Sequence, residues 1–473
     1  MKHPALKFLT PAIAGLCLGL VPNASKAAVL YFDPAGATQV TTGGTYTWDT
    51  TSLEWSTSST LSGSPVAWNS TDAACFVAGA GFTGNITVDV NSAINVAGIF
   101  DGNLGPSGCN LTLAGTGSLA FGSGAQAFGA GGSDGNSITM DIPITDGPGG
   151  PAQPESEEAG VNVINMFTPN TYTGGFILGP SSNGNLGGVA INNSLAFGTG
   201  VISSSAAATR EISTPLAAQT GPINLANNFN LWNGALEIAG VQSAPVTLSG
   251  TLALSTAGTT STFQIQSTKD VGAGLTTVTV TGGITGAGNI AKTGPGTLIL
   301  AGGSKNTYTG STTISAGTLK LNDQNEISTS SGINMNGGTL DPGGNSQNFG
   351  TLTIGASAGT FSYIDFEAGD FVNLNFADSH SQTWGTGAID LINYNGGTGT
   401  DWNGSGDVIN FGSQTGLTQA QLDGIEFNGV GFEAALDASG NLYQLATPTP
   451  EPSSIALGLL GGLGVFLMRR KKA

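Results

Sequence analysis

Residues 282–321 read Gly-Gly-Ile-Thr-Gly-Ala-Gly-Asn-Ile-Ala-Lys-Thr-Gly-Pro-Gly-Thr-Leu-Ile-Leu-Ala-Gly-Gly-Ser-Lys-Asn-Thr-Tyr-Thr-Gly-Ser-Thr-Thr-Ile-Ser-Ala-Gly-Thr-Leu-Lys-Leu. Three runs within them, 297–300, 312–315 and 318–321, are rich in β-branched and aliphatic residues, and each is bounded by Gly, Asn or Ser, the punctuation of short strands. None of these strands can bury its apolar face alone. Strands this short become stable when each turn of chain stacks on the next, so that like strands form ladders around a long, narrow core. The stretch therefore predicts an all-β fold, a β-solenoid.

Looser copies extend the pattern in both directions. Asn170-Thr171-Tyr172-Thr173-Gly174 repeats Asn306-Thr307-Tyr308-Thr309-Gly310, and Gly-Thr-Leu recurs at 338–340 and 350–352. Upstream, 86–90 and 110–113 alternate with the period of two of a half-buried strand. Gly-Thr-Leu-x-Leu at 296–300, Asn-Thr-Tyr-Thr-Gly at 306–310 and Ala-Gly-Thr-Leu at 316–319 together resemble the autotransporter-associated β-strand repeat family. The resemblance is strong over 282–321 and one of style over most of 75–360. It implies an exported, right-handed parallel β-helix, a handedness that spacing does not show. Tyr172 and Tyr308 are expected to pack at stacked turns rather than to form a sugar-stacking ladder.

Composition suits such a fold. The chain has 76 Gly in 473 residues, 9% charged residues and 7% aromatics, a balance that favours turns and thin strands over helices. The glycines follow no strict triplet, which excludes collagen, and 39% hydrophobic residues is enough to build a core.

Both ends carry export signals. Residues 1–27 combine Lys2 and Lys7, an apolar run over 8–21 and a small-x-small Ser25-Lys26-Ala27 site, the pattern of a secretory signal peptide. At the other end Pro450-Glu451-Pro452 leads into an apolar run over 455–468 and then Arg469, Arg470, Lys471 and Lys472. Fourteen helical residues reach about 21 Å, short of a bilayer core of about 30 Å, and the basic cluster would hold that end inside. The arrangement resembles a PEP-CTERM sorting signal. That implies a partner, a membrane sorting protease acting on the tail, and a transient or retained C-terminal anchor.

Of 12 Lys and Arg, three lie in the leader (Lys2, Lys7, Lys26) and four in the tail, leaving Arg210, Lys269, Lys292, Lys305 and Lys320 against nearly all of 30 acidic residues. So acidic a body argues against nucleic acid or anionic lipid as a partner; extracellular polysaccharide or other surface proteins stay open as partners. Cys75 and Cys109 remain after the leader. An even pair in an exported chain permits one disulfide, and each thiol also suits a small buried hydrophobe.

Residues 28–74 hold Trp48, Trp55 and Trp68, half of the six tryptophans, and read as an aromatic-rich N-terminal cap rather than a lectin-like platform. Residues 75–360 are the strand-repeat solenoid, 361–446 a small β-rich C-terminal capping module, and 447–473 the sorting tail. Residues 146–158, rich in Pro, Gly and Glu, are expected to protrude as a solvated loop. A single helix is expected over 418–425, capped by Thr418 and ended by Gly424.

Catalytic constellations are sparse. Outside the leader His380 is the only histidine, which rules out paired imidazole ligands, an HExxH site and an obvious hydrolase triad; it reads as a surface loop residue. Gly122-Ser123-Gly124-Ala125-Gln126-Ala127 mimics a dinucleotide fingerprint without the strand–helix unit that gives one meaning. Asp365 and Glu367 lie two apart in an alternating run, which would place them roughly 6.5–7 Å apart on one strand face, a separation used by inverting glycosidases. Asp401 opens a run with oxygen side chains at alternate positions through Asp407, but Gly412 stands where a calcium loop needs a bidentate Glu. The expectation is a non-enzymatic exported cell-surface or matrix protein of structural or adhesive role, with no cofactor. The alternative is a carbohydrate-active β-helix enzyme or glycan-binding module, marked by an acid and base cluster on one face.

Overall fold

A computed structural model describes residues 28–34, 40–70, 72–103, 110–130, 136–158, 163–181, 188–204, 209–214, 221–240, 245–267, 275–303, 306–369, 371–399, 406–429 and 433–445. The chain winds as a parallel β-helix. One representative coil contains Ile284–Thr285, Asn289–Thr293 and Thr297–Leu300. The following coil places Thr312–Ile314 on Asn289–Thr293 and Thr318–Leu321 on Thr297–Leu300, in parallel register, so that Leu298 meets Leu319 and Leu300 meets Leu321. The three strands read from the sequence are therefore present, and stacking rather than hairpin pairing satisfies them.

Three faces result. Ala73–Val90 is long enough to serve the first and second faces, and Ala93–Val96 begins the third. Along the second face Ile86, Leu111, Ile138, Ile164, Val189, Ile212, Ile238 and Ile265 stand in one register column, and all are buried. Along the third, Val278, Leu298, Leu319, Leu340, Ile364, Leu391 and Phe427 form another. The alternation of strand side chains sends every second residue inward, and each fully buried Leu or Ile contributes roughly 2 kcal/mol.

The Asn-Thr-Tyr-Thr-Gly motif is an inter-coil clamp. Asn170 Oδ1 accepts from the Ile144 amide at 2.7 Å while its Nδ2 donates to the Ala196 carbonyl at 2.6 Å. Asn306 repeats this, accepting from the Ile284 amide at 2.8 Å and donating to the Glu326 carbonyl at 3.0 Å. Each asparagine thus ties together the coils on either side of its own. Tyr172 and Tyr308 beside them are fully buried, which is the packing role expected of them.

At the N-terminal end Trp55–Ser56 runs antiparallel along Val29–Phe32, and Trp48, Trp55 and Trp68 cluster with ring centroids 4.7–5.0 Å apart. Their burial leaves no aromatic platform open to solvent. Toward the C-terminus the third-face stack runs on through Phe361–Asp365, Ala388–Ile392 and Ile425–Phe427. An antiparallel pair, Ala434–Leu436 with Leu442–Leu445, follows. The helix is shorter than expected: Gln419–Leu422, with Thr418 as N-cap in a capping box with Gln421, and Asp423 as its C-cap, so that Gly424 directly follows the cap.

The expected loop at 146–158 is corrected. Only a turn at 147–150 separates Ile144–Asp146 from the strand Ala152–Glu158. That strand pairs in parallel with Gly124–Ala130 on one side and Phe176–Ser181 on the other. Pro154 is accommodated because pairing toward Phe176–Ser181 begins one residue later, at Glu155, so the missing proline amide breaks no bond there.

Candidate functional site

The outer side of the third face carries the most concentrated chemistry. Thr277, Thr297, Thr318 and Thr339 stand in register along it, and beside them Ile299, Lys320 and Asp341 form a second column. Lys320 Nζ lies 3.0 Å from Asp341 Oδ2 and also contacts Glu367 Oε1, joining three coils through one ammonium. Burial pulls the Lys320 pKa down, but hydrogen bonds to Glu367 and Asp341 outweigh it and leave the amine above its ordinary value. Burial dominates the other way at Asp341, holding its carboxyl above the ordinary range despite the pull of Lys320.

Asp365 and Glu367 do not share a strand face. The strand ends at Asp365, and Glu367 takes φ 53°, a left-handed conformation uncommon for Glu, which turns its carboxylate back onto Lys320. Asp365 meanwhile accepts from Asn393 Nδ2 at 2.7 Å and from the Glu367 amide at 3.2 Å. Sequence spacing assumed an extended backbone through 367, and the turn removed that premise.

Other candidates are used structurally. His380 is exposed in a loop, its Nδ1 2.8 Å from Asp378 Oδ1; that contact holds the Asp378 carboxyl below its ordinary range. Asp407, fully buried, accepts from the Val372 amide at 3.1 Å and the Asn395 amide at 2.8 Å. Its carboxylate faces backbone amides of neighbouring segments; residues 401–405 lie outside the described residues. Among the described residues no group of three or more His, Cys, Asp or Glu could hold a metal ion. Cys75 is buried with Tyr31, Leu61 and Phe100; Cys109 lies outside the described residues. So do Pro450, Glu451, Pro452 and 469–472, and among the described residues no helix is long and apolar enough to cross a membrane.

Sequence reading missed buried charges, Lys292 and Glu326 among them. Lys292 is fully buried on an inward-facing position between Phe263 and Ile314. Its Nζ donates to the carbonyls of Thr293 at 2.9 Å, Gly294 at 2.8 Å and Ala316 at 3.0 Å. Burial lowers its pKa to about 8. Glu326, also fully buried, accepts from the amides of Gly302 and Gly303 and from Asn306 Nδ2; burial raises its carboxyl above the ordinary range. The signal for Lys292 was its phase: it follows Ile290 by two in an alternating strand, the inward position. Arg210, likewise buried, donates to the Leu178 and Thr209 carbonyls.

Against known proteins, residues 290–321 match the family model of the passenger-associated transport repeat. No curated protein and no solved structure matches the chain. The matched segment is the stretch whose coils are described above, and it supports an autotransporter-type repeat in an exported, surface-associated chain.

Proposed function

We propose that this chain is a non-enzymatic structural or adhesive protein of the cell surface or extracellular matrix, exported through its leader and sorted through its tail. The observation that carries it is the passenger-associated repeat at 290–321, set within a stack that continues on both sides of it. Its charged groups serve that stack: Lys320 is held by Asp341 and Glu367, and Lys292 and Arg210 by backbone carbonyls. A general acid or base needs a carboxyl free to meet substrate, and a Glu367 committed to Lys320 does not favour the glycosidase reading. Residues 28–74 and 361–446 close the two ends in this view. Polysaccharide and other surface proteins are the partners it points to.

In the tail, the apolar run partitions into lipid, the basic cluster stays inside, and Pro450-Glu451-Pro452 offers an extended, helix-free segment for a membrane protease. Neutral residues at 469–472 should release unprocessed protein, and replacing Glu451 should leave an uncleaved membrane-held form. Mass measurement of the mature C-terminus in wild type and both variants tests this. If all three end at Ala473, the tail is an ordinary anchor and the sorting assignment is wrong.

A further inference from the structure

The edges of the stack are finished unequally. On the second face the C-terminal strand Leu352–Ile354 is covered: the Leu352 amide donates to Ser379 Oγ at 2.9 Å, Trp384 Nε1 donates to the Leu352 carbonyl at 3.0 Å, and the Gly385 amide donates to the Ile354 carbonyl at 2.5 Å. On the first face Val29–Phe32 is covered by Trp55–Ser56. The N-terminal strand of the second face, Val40–Trp48, pairs on one side with Ala73–Val90. Among the described residues no backbone group is bonded to its other edge.

Register shifts between Val40 and Gly44 bend the first part of that edge, and the rest of it lacks the other usual protections. It reads Val-Thr-Thr-Gly-Gly-Thr-Tyr-Thr-Trp, without the charge or proline by which natural edges avoid pairing. From Gly44 to Trp48 its register on the next strand is unbroken. Thr45 and Thr47 are exposed, whereas Tyr46 packs edge-on to Phe32 at 5.6 Å and Trp48 sits in the aromatic cluster, so the strand is firmly held and its outer amides and carbonyls are presented in a row.

We infer that this edge is completed by the same edge of a second copy of this chain, giving a head-to-head dimer in which two 44–48 segments pair antiparallel. A two-fold contact matches each donor with the partner's acceptor using one surface. Charge favours this location: the chain carries a formal charge of −18, so copies repel over most of their surface, but 40–48 carry no charge. Because the far end of the second face is covered, the contact closes at two copies and does not propagate into a fibre.

The test uses the full exported chain in detergent, with light scattering corrected for bound detergent. The wild type should have the mass of two chains. Thr45→Asp with Thr47→Asp should give monomers with unchanged circular dichroism, since like charges would oppose one another across the pair. Thr87→Asp, one rung inward in register with Thr45, should remain dimeric. Co-expressed Thr45→Cys and Thr47→Cys chains should form a mixed disulfide-linked dimer, because those positions face each other about Tyr46. A monomeric wild type, including one whose edge is filled by its own chain, would overturn the inference. So would an open-ended polymer, or a dimer that survives the double Asp substitution.

Discussion

Tyr172 and Tyr308 occupy the same position of the same motif, yet their hydroxyls differ. Tyr308 bonds Thr312 Oγ1 at 2.7 Å, and its burial pushes the phenol up to about 12. Tyr172 has Phe176 four residues on and its buried hydroxyl has no partner among the described residues. Tyr172→Phe should therefore stabilise the protein by about 1 kcal/mol, and Tyr308→Phe should destabilise it by about 1 kcal/mol, read as opposite shifts in denaturant midpoint. Lys292 gives a pH signature. Its folded pKa is about 8 against an ordinary 10.5, so between those values the unfolded chain binds more protons and stability rises with pH. The gain should be on the order of 3 kcal/mol over the window. Above about 10 the buried tyrosines oppose it, because their folded hydroxyls keep protons the unfolded chain releases. Lys292→Met should lose the rise between pH 8 and 10, whatever its baseline stability; a slope identical to wild type would refute the assignment.

At the scale of the element, the unit is the clamp between coils rather than the strand. Asn306→Ala removes the acceptor of a buried amide and a donor to Glu326, and should cost about 3 kcal/mol. Asn306→Asp keeps the acceptor but sets a second carboxyl against Glu326, so the loss should be larger at neutral pH and partly recovered as acid protonates the pair, measured by thermal midpoints across pH. Gly282 shows why the chain is rich in glycine: a Cβ there would overlap the Gly250 carbonyl oxygen of the coil before. Gly282→Ala should therefore destabilise, although in a helix interior the same change gains about 1 kcal/mol. The strands at 297–300 and 318–321 were legible because two-residue alternation and glycine punctuation are local properties. The clamp was not, since nothing in Asn-Thr-Tyr-Thr-Gly states which carbonyl lies one coil away.

Over the whole molecule, the described stack leaves few places where backbone is open. Residues 152–158 contain Glu155, Glu157 and Glu158 and form a strand bonded on both sides. A glutamate-specific protease should leave this segment intact in native protein and cut it only after denaturation; early cleavage there would contradict the pairing. The sequence by itself determined the class of fold, because alternation, turn chemistry and the Gly-Thr-Leu recurrence are written in neighbouring residues and need no distant contact to be read. Only the tertiary structure decided which side chains meet across coils: that Glu367 turns back to Lys320, that Asp407 faces backbone amides, that Lys292 lies inside, and that the proline-rich stretch is a strand. Stacking brings together residues separated by one coil or more, and coil lengths vary along this chain. The spacing that sets those meetings is therefore fixed by packing rather than by sequence distance.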